Sequence, residues 1–322
     1  MGLICSLCQS PRIFKLRAFS IPYLRQEWIN CFGFDPYPAN ATANTMTLQR
    51  CAVCHYEFFD PLFIGDAAFY ERMSKNQWYY EDDKWEFDEA IRRLSGRPEH
   101  GSLLEIGCGR GSFLEKVAGC YDAWGTEINA EALRICGQKG LNATDKTVKE
   151  LGRNFDVIVS FEVLEHLPDP RSFLCEVDQA LSPGGTLIFA VPNPQGYLGQ
   201  LDHVLLDMPP HHAGRWNSAT WDYVAQTWGL RLIGRAYEPL RYPHYLVYMD
   251  ALSSEHQRWA HVAPAKTRLE RWRQMISKRI GAVIAGAIAP ILLQINYPYC
   301  KQNLVGQTQF VEFQKPPHAQ ER

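Results

Sequence analysis

Two residues separate Cys5 from Cys8, and two separate Cys51 from Cys54. That spacing lets both thiolates of a pair point at one tetrahedral ion. Two such pairs complete a closed site of four sulfurs, the composition of a structural zinc centre rather than a catalytic one. The 42 residues between the pairs exceed the roughly 15–20 of a compact zinc ribbon. Gln9 and His55 stand where a zinc knuckle commonly carries glycine, and His55 and Cys31 are reserve ligands. Buried free thiols or a redox pair are the alternative readings of the same residues.

A second constellation is LLEIGCGRGSFLEKV, with Glu105, Gly107, Cys108, Gly109 and Gly111. Glycines at this spacing let a strand turn sharply into a helix while a ligand lies against bare backbone. A dinucleotide could use such a loop through its pyrophosphate. Glu105, two residues before the first glycine, would repel that group and attract an ammonium or sulfonium ligand. Sixteen residues beyond Gly111, Glu127 closes the next apolar segment, ahead of Ile128. A carboxylate there can accept hydrogen bonds from both hydroxyls of an adenosine ribose.

The elements around these residues alternate in kind. Residues 102–107, 121–128, a short piece near 141–143, 155–163, 186–192, 229–237 and 307–315 read as strands. Between them, 111–119, 130–136, 171–182 and 218–228 read as helices. Alternation of this sort predicts an α/β fold, a Rossmann-like doubly wound and mostly parallel seven-stranded sheet. Residues 66–94 read as one helix with Phe69, Met73, Trp85, Ile91 and Leu94 on its apolar face. Residues 1–60 read as irregular, rich in Cys, Pro and aromatics. The expected organisation is a zinc-ribbon-like region at 1–60, a helical connector at 61–98, and a Rossmann-like domain at 99–316 interrupted by a helical insertion at about 248–300. Within the insertion, TRLERWRQMISKRI is basic and 280–293 is an uncharged apolar run. Fourteen residues are too few for an untilted membrane span. The run is read as added helix packed on the core, or as a lid or patch giving peripheral membrane contact through 266–293.

EIGCGRGSF, GTEIN and FDVIVSFEVLEHLPDPRSFLCEVDQALSPGGTLIFAVPN together resemble the S-adenosylmethionine-dependent methyltransferases with a Rossmann-like fold, over roughly residues 100–240 and the last strand. The paired cysteines make the chain similar to a subset with an N-terminal zinc-binding region that modifies sugars or other small metabolites. The resemblance implies that the glycine loop, with Cys108, passes under the methionine part of the cofactor. It implies that Glu127 and Ile128 meet the nucleoside, that Asn142 and Ala143, after the third strand, lie near the adenine, and that Phe161 and Glu162 face the cofactor. Tyr79 and Tyr80, on the preceding helix, are candidates to cover it.

Methyl transfer to a hydroxyl needs alignment in a water-poor pocket and a base for the departing proton, for which histidine is the usual choice. His211 and His212, in DMPPHHAGRWN, fall where acceptors enter this architecture. His166, in EVLEHLPDP, is a third candidate with a cofactor-side or structural role as its alternative. Trp216 and Tyr197 are candidates to stack on an acceptor, with core packing as the default. The expected partner is a small-molecule acceptor, a hydroxyl of a sugar nucleotide or glycan intermediate, with a quinone or lipid-linked acceptor as the alternative.

Charge sets further bounds. The chain has 322 residues, with 33 basic and 35 acidic ones for a net of −2, so it lacks the excess of Lys and Arg a general polyanion binder needs. A zinc-module nucleic-acid-binding protein is therefore the disfavoured reading. An apolar share of 46% can bury a substantial core. Ten cysteines, four in two pairs and six scattered, without a leading apolar run point to a reducing, cytoplasmic setting rather than a disulfide scaffold.

Overall fold

The computed structural model describes residues 2–39, 41–76, 79–96, 101–197, 204–246, 248–249 and 297–317, together with 199, 201 and 294. Most of the expected insertion, including 266–293 and the apolar run at 280–293, lies outside the described residues. The chain divides into two units, one of residues 1–193, 203–236 and 308–322 and one of 194–202 and 237–307.

The N-terminal residues are not irregular. They form β1 (Ile13–Ser20), α1 (Ile21–Phe32), β2 (Thr45–Cys51) and β3 (Glu57–Asp60). β1 alternates apolar and polar residues only over Phe14–Ala18 and is exposed along most of its length, too short a pattern to set it apart from a loop. α1 has Ser20 as N-cap, with its side chain accepting from Tyr23 N, and ends on Gly33 in the left-handed conformation. Ile21, Leu24 and Trp28 of α1 pack on Met46, Leu48 and Phe59.

Residues 66–94 form two helices, α2 (Ala67–Met73) and α3 (Trp85–Leu94), not one. Their apolar faces serve different cores. Phe69 and Met73 join the α1 cluster, whereas Phe87, Ala90 and Leu94 pack on the large sheet. Tyr79 and Tyr80 thus sit in the connection between helices and not on one.

The remaining elements are β4 (Ser102–Ile106), α4 (Ser112–Val117), β5 (Asp122–Thr126), α5 (Ala130–Gln138), β6 (Asn142–Thr144), β7 (Phe155–Phe161), α6 (Pro170–Ala180), β8 (Leu181–Pro192), β9 (Gly214–Arg215), α7 (Ser218–Trp228), β10 (Arg231–Pro239) and β11 (Val305–Gln314). The seven-stranded sheet runs β10-β11-β8-β7-β4-β5-β6. β4 pairs in parallel with β5 and β7, β5 with β6 and β7 with β8, while β11 lies antiparallel to β8. This is the mostly parallel Rossmann-like sheet expected above. Its strands are apolar on both faces, as a sheet covered by helices requires. Leu104, Ile158, Leu187 and Phe189 meet α6 and α7, and Leu103, Val157, Val159 and Ile188 meet α3, α4 and α5.

Strand order reverses at β4, whose neighbours are β5 on one side and β7 on the other. In open α/β sheets a crevice opens outside the carboxyl ends of the strands at such a switch point, and ligands bind there. A second sheet, β1-β2-β3-β9, is antiparallel throughout. Its last strand comes from the loop after β8, so a segment far along the chain completes the N-terminal sheet.

The second unit has its own small core of Tyr197, Leu240, Tyr245 and Cys300. There the Tyr197 hydroxyl donates to Gln307 Oε1 at 3.1 Å. Tyr197 is therefore packing, and so is Trp216 of the first unit, whose buried ring stacks on Trp221 at 4.6 Å.

Candidate active site

The glycine loop leaves the carboxyl end of β4 at the switch point. Gly107 N and Cys108 N both donate to Thr126 O, at 2.8 and 3.0 Å, which ties the loop to the end of β5. Gly107 has φ 77° and Gly109 φ 52°, in the left-handed region that favours glycine. A Cβ on Gly107 would collide with Val163, and one on Gly109 would lie 3.2 Å from the Tyr80 ring. Cys108 does not turn toward the loop's open side. Its side chain is buried, because Gly125 lacks a Cβ and leaves space for the sulfur.

Glu127 stands directly across from the loop. Its Oε2 accepts from Gly109 N at 2.9 Å, and its Oε1 accepts from Ile128 N and Asn129 N, each at 2.8 Å. Three backbone donors hold the carboxylate at the crevice, and bidentate capture of a ribose requires it to share or trade the Gly109 bond. Ile128 beside it is 87% exposed, an apolar side chain offered to a flat ring. Glu105 is only 2% exposed, and its Oε2 has no hydrogen-bond partner among the described residues. Burial drives its carboxyl well above the ordinary range, with Lys84 opposing the shift. A buried, under-satisfied carboxyl of this kind suits a cationic ligand, so the crevice fits an adenosyl sulfonium compound bearing an ammonium group.

Other expected cofactor contacts lie elsewhere. Phe161 is the last residue of β7 and packs on Phe87 and Phe113, with ring centroids 5.2 and 5.0 Å apart. Its ring belongs to the core and not to the crevice. Asn142 and Ala143 are inside β6, not after it, and pair with Trp124 and Gly125. The residues level with Glu127 are Thr144, whose carbonyl accepts from Glu127 N at 3.0 Å, and Asp145 beyond it. Glu162 does turn out of the sheet, at φ 55° immediately after β7.

His166, His211 and His212 come together although the first two lie 45 positions apart. Ring centroids are 4.7 Å apart for His166 and His211, 4.9 Å for His166 and His212, and 4.5 Å for His211 and His212. His166 lies on the short 3-10 turn Leu164–His166 that follows β7. The His211–His212 loop is anchored on several sides. Ala213 N donates to Glu165 O at 2.6 Å, Gly65 N to Pro210 O at 2.9 Å, and the Tyr37 hydroxyl to Pro209 O at 2.7 Å. β9 follows at once and pairs with β3 through Phe58↔Gly214 and Glu57↔Arg215. Burial pushes all three imidazoles down, to about 4 for His166 and well below the ordinary value for His211 and His212, where the neighbouring rings add to the shift. They are therefore neutral at physiological pH.

Around them stand residues that the motifs did not single out. Glu165 is 1% exposed, and its carboxyl is raised by burial and by the nearby Glu162. Asp207 meets His212 Nδ1 at 3.2 Å and Arg215 at 2.8 Å. Tyr70 lies 3.4 Å from His166 Nδ1. Tyr79 and Tyr80 bridge the two halves of the site. The Tyr79 ring contacts His211 at 6.2 Å and Tyr80 at 5.1 Å, and the Tyr80 hydroxyl accepts from Asn129 Nδ2 at 3.4 Å. Glu165 had a legible signal, a carboxylate next to a histidine within an apolar stretch. Tyr70 and Asp207 had none, because long-range folding brings them in.

The two cysteine pairs also meet. Cys5 Sγ is 3.5 Å from Cys54 Sγ and Cys8 Sγ is 3.3 Å from Cys51 Sγ, and all four sulfurs lie within 4.8 Å of one another. Gln9 and His55 adopt φ 61° and 60°, the conformation glycine takes at that point of a knuckle, and each donates its N–H to the first cysteine of its pair. Four thiols so placed fit a tetrahedral zinc ion. His55 is exposed and Cys31 lies on α1, so neither stands in for a missing ligand.

A family model described as "Methyltransferase domain" matches residues 78–273, more than half of the chain. Among curated relatives, a "Ubiquinone biosynthesis O-methyltransferase" of Bordetella avium is 30% identical over 123 residues, 34% of this chain and 51% of that protein. A protein of the same name from Ruegeria pomeroyi is 36% identical over 125 residues, 35% of this chain and 50% of that protein. The chain thus matches these relatives over about half of their length. Among solved structures, a SAM dependent methyltransferase from Archaeoglobus fulgidus is similar at 17% identity and TM-score 0.49, covering 76% of this chain and all of that one.

Proposed function

The chain belongs to the S-adenosylmethionine-dependent methyltransferase family, and we propose that it methylates a hydroxyl oxygen of a small acceptor. When bound, S-adenosylmethionine supplies an electrophilic methyl carbon on a sulfonium centre. Glu127 is the residue to hold the ribose hydroxyls, and Ile128 the one to pack against the base. Glu105 balances the positive charge, and Gly107, Gly109 and Gly111 keep the backbone bare beneath the methionine part. Glu162, at the end of β7, borders the same crevice.

On the acceptor side, His166, His211 and His212 are neutral, so an Nε2 lone pair can take the hydroxyl proton. His211 Nε2 is the first candidate, because it is buried and has no partner among the described residues. The Tyr79–Tyr80 bridge keeps the two halves adjacent and excludes water between them. Cys5, Cys8, Cys51 and Cys54 hold a structural zinc whose role is to brace the sheet that β9 completes.

The observation that carries this reading is the position of the neutral histidine cluster at the carboxyl end of β7, beside the crevice where Glu127 faces the glycine loop. The names of the relatives favour a phenolic hydroxyl on a quinone precursor over a sugar nucleotide. No helix among the described residues is long and apolar enough to cross a membrane. The test is calorimetric titration with S-adenosylmethionine and its demethylated product, followed by product release with a dihydroxyaromatic acceptor and, in parallel, a sugar nucleotide. Binding with turnover on the aromatic alone is the expected result. Turnover on the sugar nucleotide alone overturns the acceptor assignment, and absence of binding overturns the whole reading.

A further inference from the structure

We propose that His166, His211 and His212, together with Glu165, form a binding site for a divalent transition-metal cation, separate from the four-cysteine site. The first argument is tautomeric. His166 Nδ1 lies 2.6 Å from His211 O, and His211 Nδ1 lies 2.7 Å from Leu206 O. A carbonyl oxygen only accepts, so each of these Nδ1 atoms carries the proton. His212 Nδ1 is 3.2 Å from Asp207 Oδ1, while the Arg215 guanidinium lies 2.8 Å from Oδ2 and keeps that carboxylate an acceptor. All three rings therefore leave an unprotonated Nε2. A ring whose Nδ1–H is held by a carbonyl or carboxylate, with Nε2 free, is the arrangement found around metal-ligating histidines.

The second argument is convergence. One ring nitrogen from each histidine lies within 4.8 Å of the other two. Glu165 Oε1 is 3.7 Å from His166 Nε2 and 4.0 Å from His212 Nε2. Ligand atoms about 2.0–2.1 Å from a tetrahedral ion are separated by about 3.3 Å, so the three histidines form the core of the site and Glu165, outside their 4.8 Å group, must swing inward to complete it.

The third argument is what these groups otherwise lack. His211 Nε2 and both oxygens of Glu165 are buried with no hydrogen-bond partner among the described residues. Buried polar atoms left so are costly, and lone pairs turned toward one another repel. One cation would satisfy all of them. Three nitrogens and one carboxylate suit zinc, cobalt or nickel and are a poor match for magnesium, which demands oxygen ligands. Three histidines and Glu165 close the tetrahedral shell, so an acceptor oxygen would join a cation there only as a fifth ligand. That role rests on the methyl-transfer reading and would take the place of a histidine base, because a cation uses up the Nε2 lone pairs, whereas the binding itself rests on the geometry alone.

The test uses the full chain, dialysed against buffered zinc and then assayed for zinc by elemental analysis, and in parallel loaded with cobalt and followed by absorption. Wild type is expected to hold two zinc ions per chain, and to show cobalt bands of a nitrogen–oxygen site beside the thiolate charge-transfer band. His211→Ala/His212→Ala is expected to hold one ion, with the thiolate band retained. Asp207→Asn, which keeps all four ligands, should weaken the second ion by about 10–100-fold. Millimolar magnesium should displace nothing. One zinc per wild-type chain, with every cobalt band accompanied by thiolate charge transfer, overturns the site without any variant having to fold. Failure to bind S-adenosylmethionine while two ions remain bound would instead count against the methyl-transfer reading and leave the site standing.

Discussion

Phe58 of β3 pairs antiparallel with Gly214 of β9, two residues after His212. The sheet that begins beside the cysteine site and the loop that carries two histidines are thus joined by main-chain hydrogen bonds. Tyr37 and Gly65 add bonds from the N-terminal side to Pro209 and Pro210. The N-terminal region in this way helps to hold the histidine cluster and is more than a separate appendage.

That connection makes the cysteine site matter to turnover at a distance. Replacing Cys51 and Cys54 by serine removes two of the four proposed zinc ligands, and the free energy of structural zinc binding is also folding free energy. Turnover of the double variant should fall by at least tenfold while affinity for S-adenosylmethionine stays within about threefold, because the Glu127–Gly109 contact belongs to the large sheet. Elemental analysis, calorimetry and rate measurements on one preparation check this. Equal loss of affinity and rate would mean general unfolding instead.

Glu127→Ala removes the acceptor of three backbone donors and the proposed partner of the ribose hydroxyls. With the Gly109 bond traded for one ribose hydroxyl, the net gain is about one hydrogen bond to a charged group, about 1.5–3 kcal/mol. Affinity for S-adenosylmethionine should therefore drop by about 10–150-fold by calorimetry, with Glu127→Gln intermediate. Unchanged affinity would remove Glu127 from the cofactor site.

Several of these positions were readable from residue types alone, and the reasons divide cleanly. Gly107, Gly109 and Glu127 announce themselves because a local constraint, a strand turning into a helix against a ligand, dictates type and spacing together. The cysteine pairs do the same through ligand geometry. For Phe161 the sequence leaves the direction of the ring open, because a strand end and the crevice beyond it differ by one residue; the ring packs on Phe87 and Phe113. Asn142 and Ala143 lie within β6 rather than after it, since so short a strand offers too little periodicity to mark its end. The N-terminal sheet was invisible because its burial depends on partners far along the chain, Met208 and β9 among them. Asp207 and Tyr70 enter the histidine cluster only through that folding.

Glu105 predicts a conflict between stability and function. Its carboxyl is raised well above the ordinary value by burial. For an acid whose folded pKa exceeds the unfolded one, the unfolded chain gives up its proton first, so stability declines as pH rises above about 4.3 and levels off only beyond the folded pKa. Glu105→Gln removes that penalty. The variant should melt at the same temperature as wild type near pH 4 and above it at pH 7–8 without ligand, yet bind S-adenosylmethionine more weakly. A melting difference independent of pH would show that Glu105 is not a buried acid held against its preference.

Gly109 carries two constraints that a double-mutant cycle can separate. Its φ of 52° strains any side chain, by about 1–2 kcal/mol, and a Cβ would stand 3.2 Å from the Tyr80 ring. Gly109→Ala should therefore lower stability by at least the backbone amount, and also weaken cofactor binding, because Gly109 N is the donor that positions Glu127 Oε2. Adding Tyr80→Ala relieves the contact but leaves the backbone strain. The pair should recover part of the stability lost in Gly109→Ala, with a coupling of about 0.5–3 kcal/mol between the two sites by chemical denaturation. Strict additivity would place Tyr80 clear of the loop, and with it the bridge that links the glycine loop through Tyr79 to the histidines.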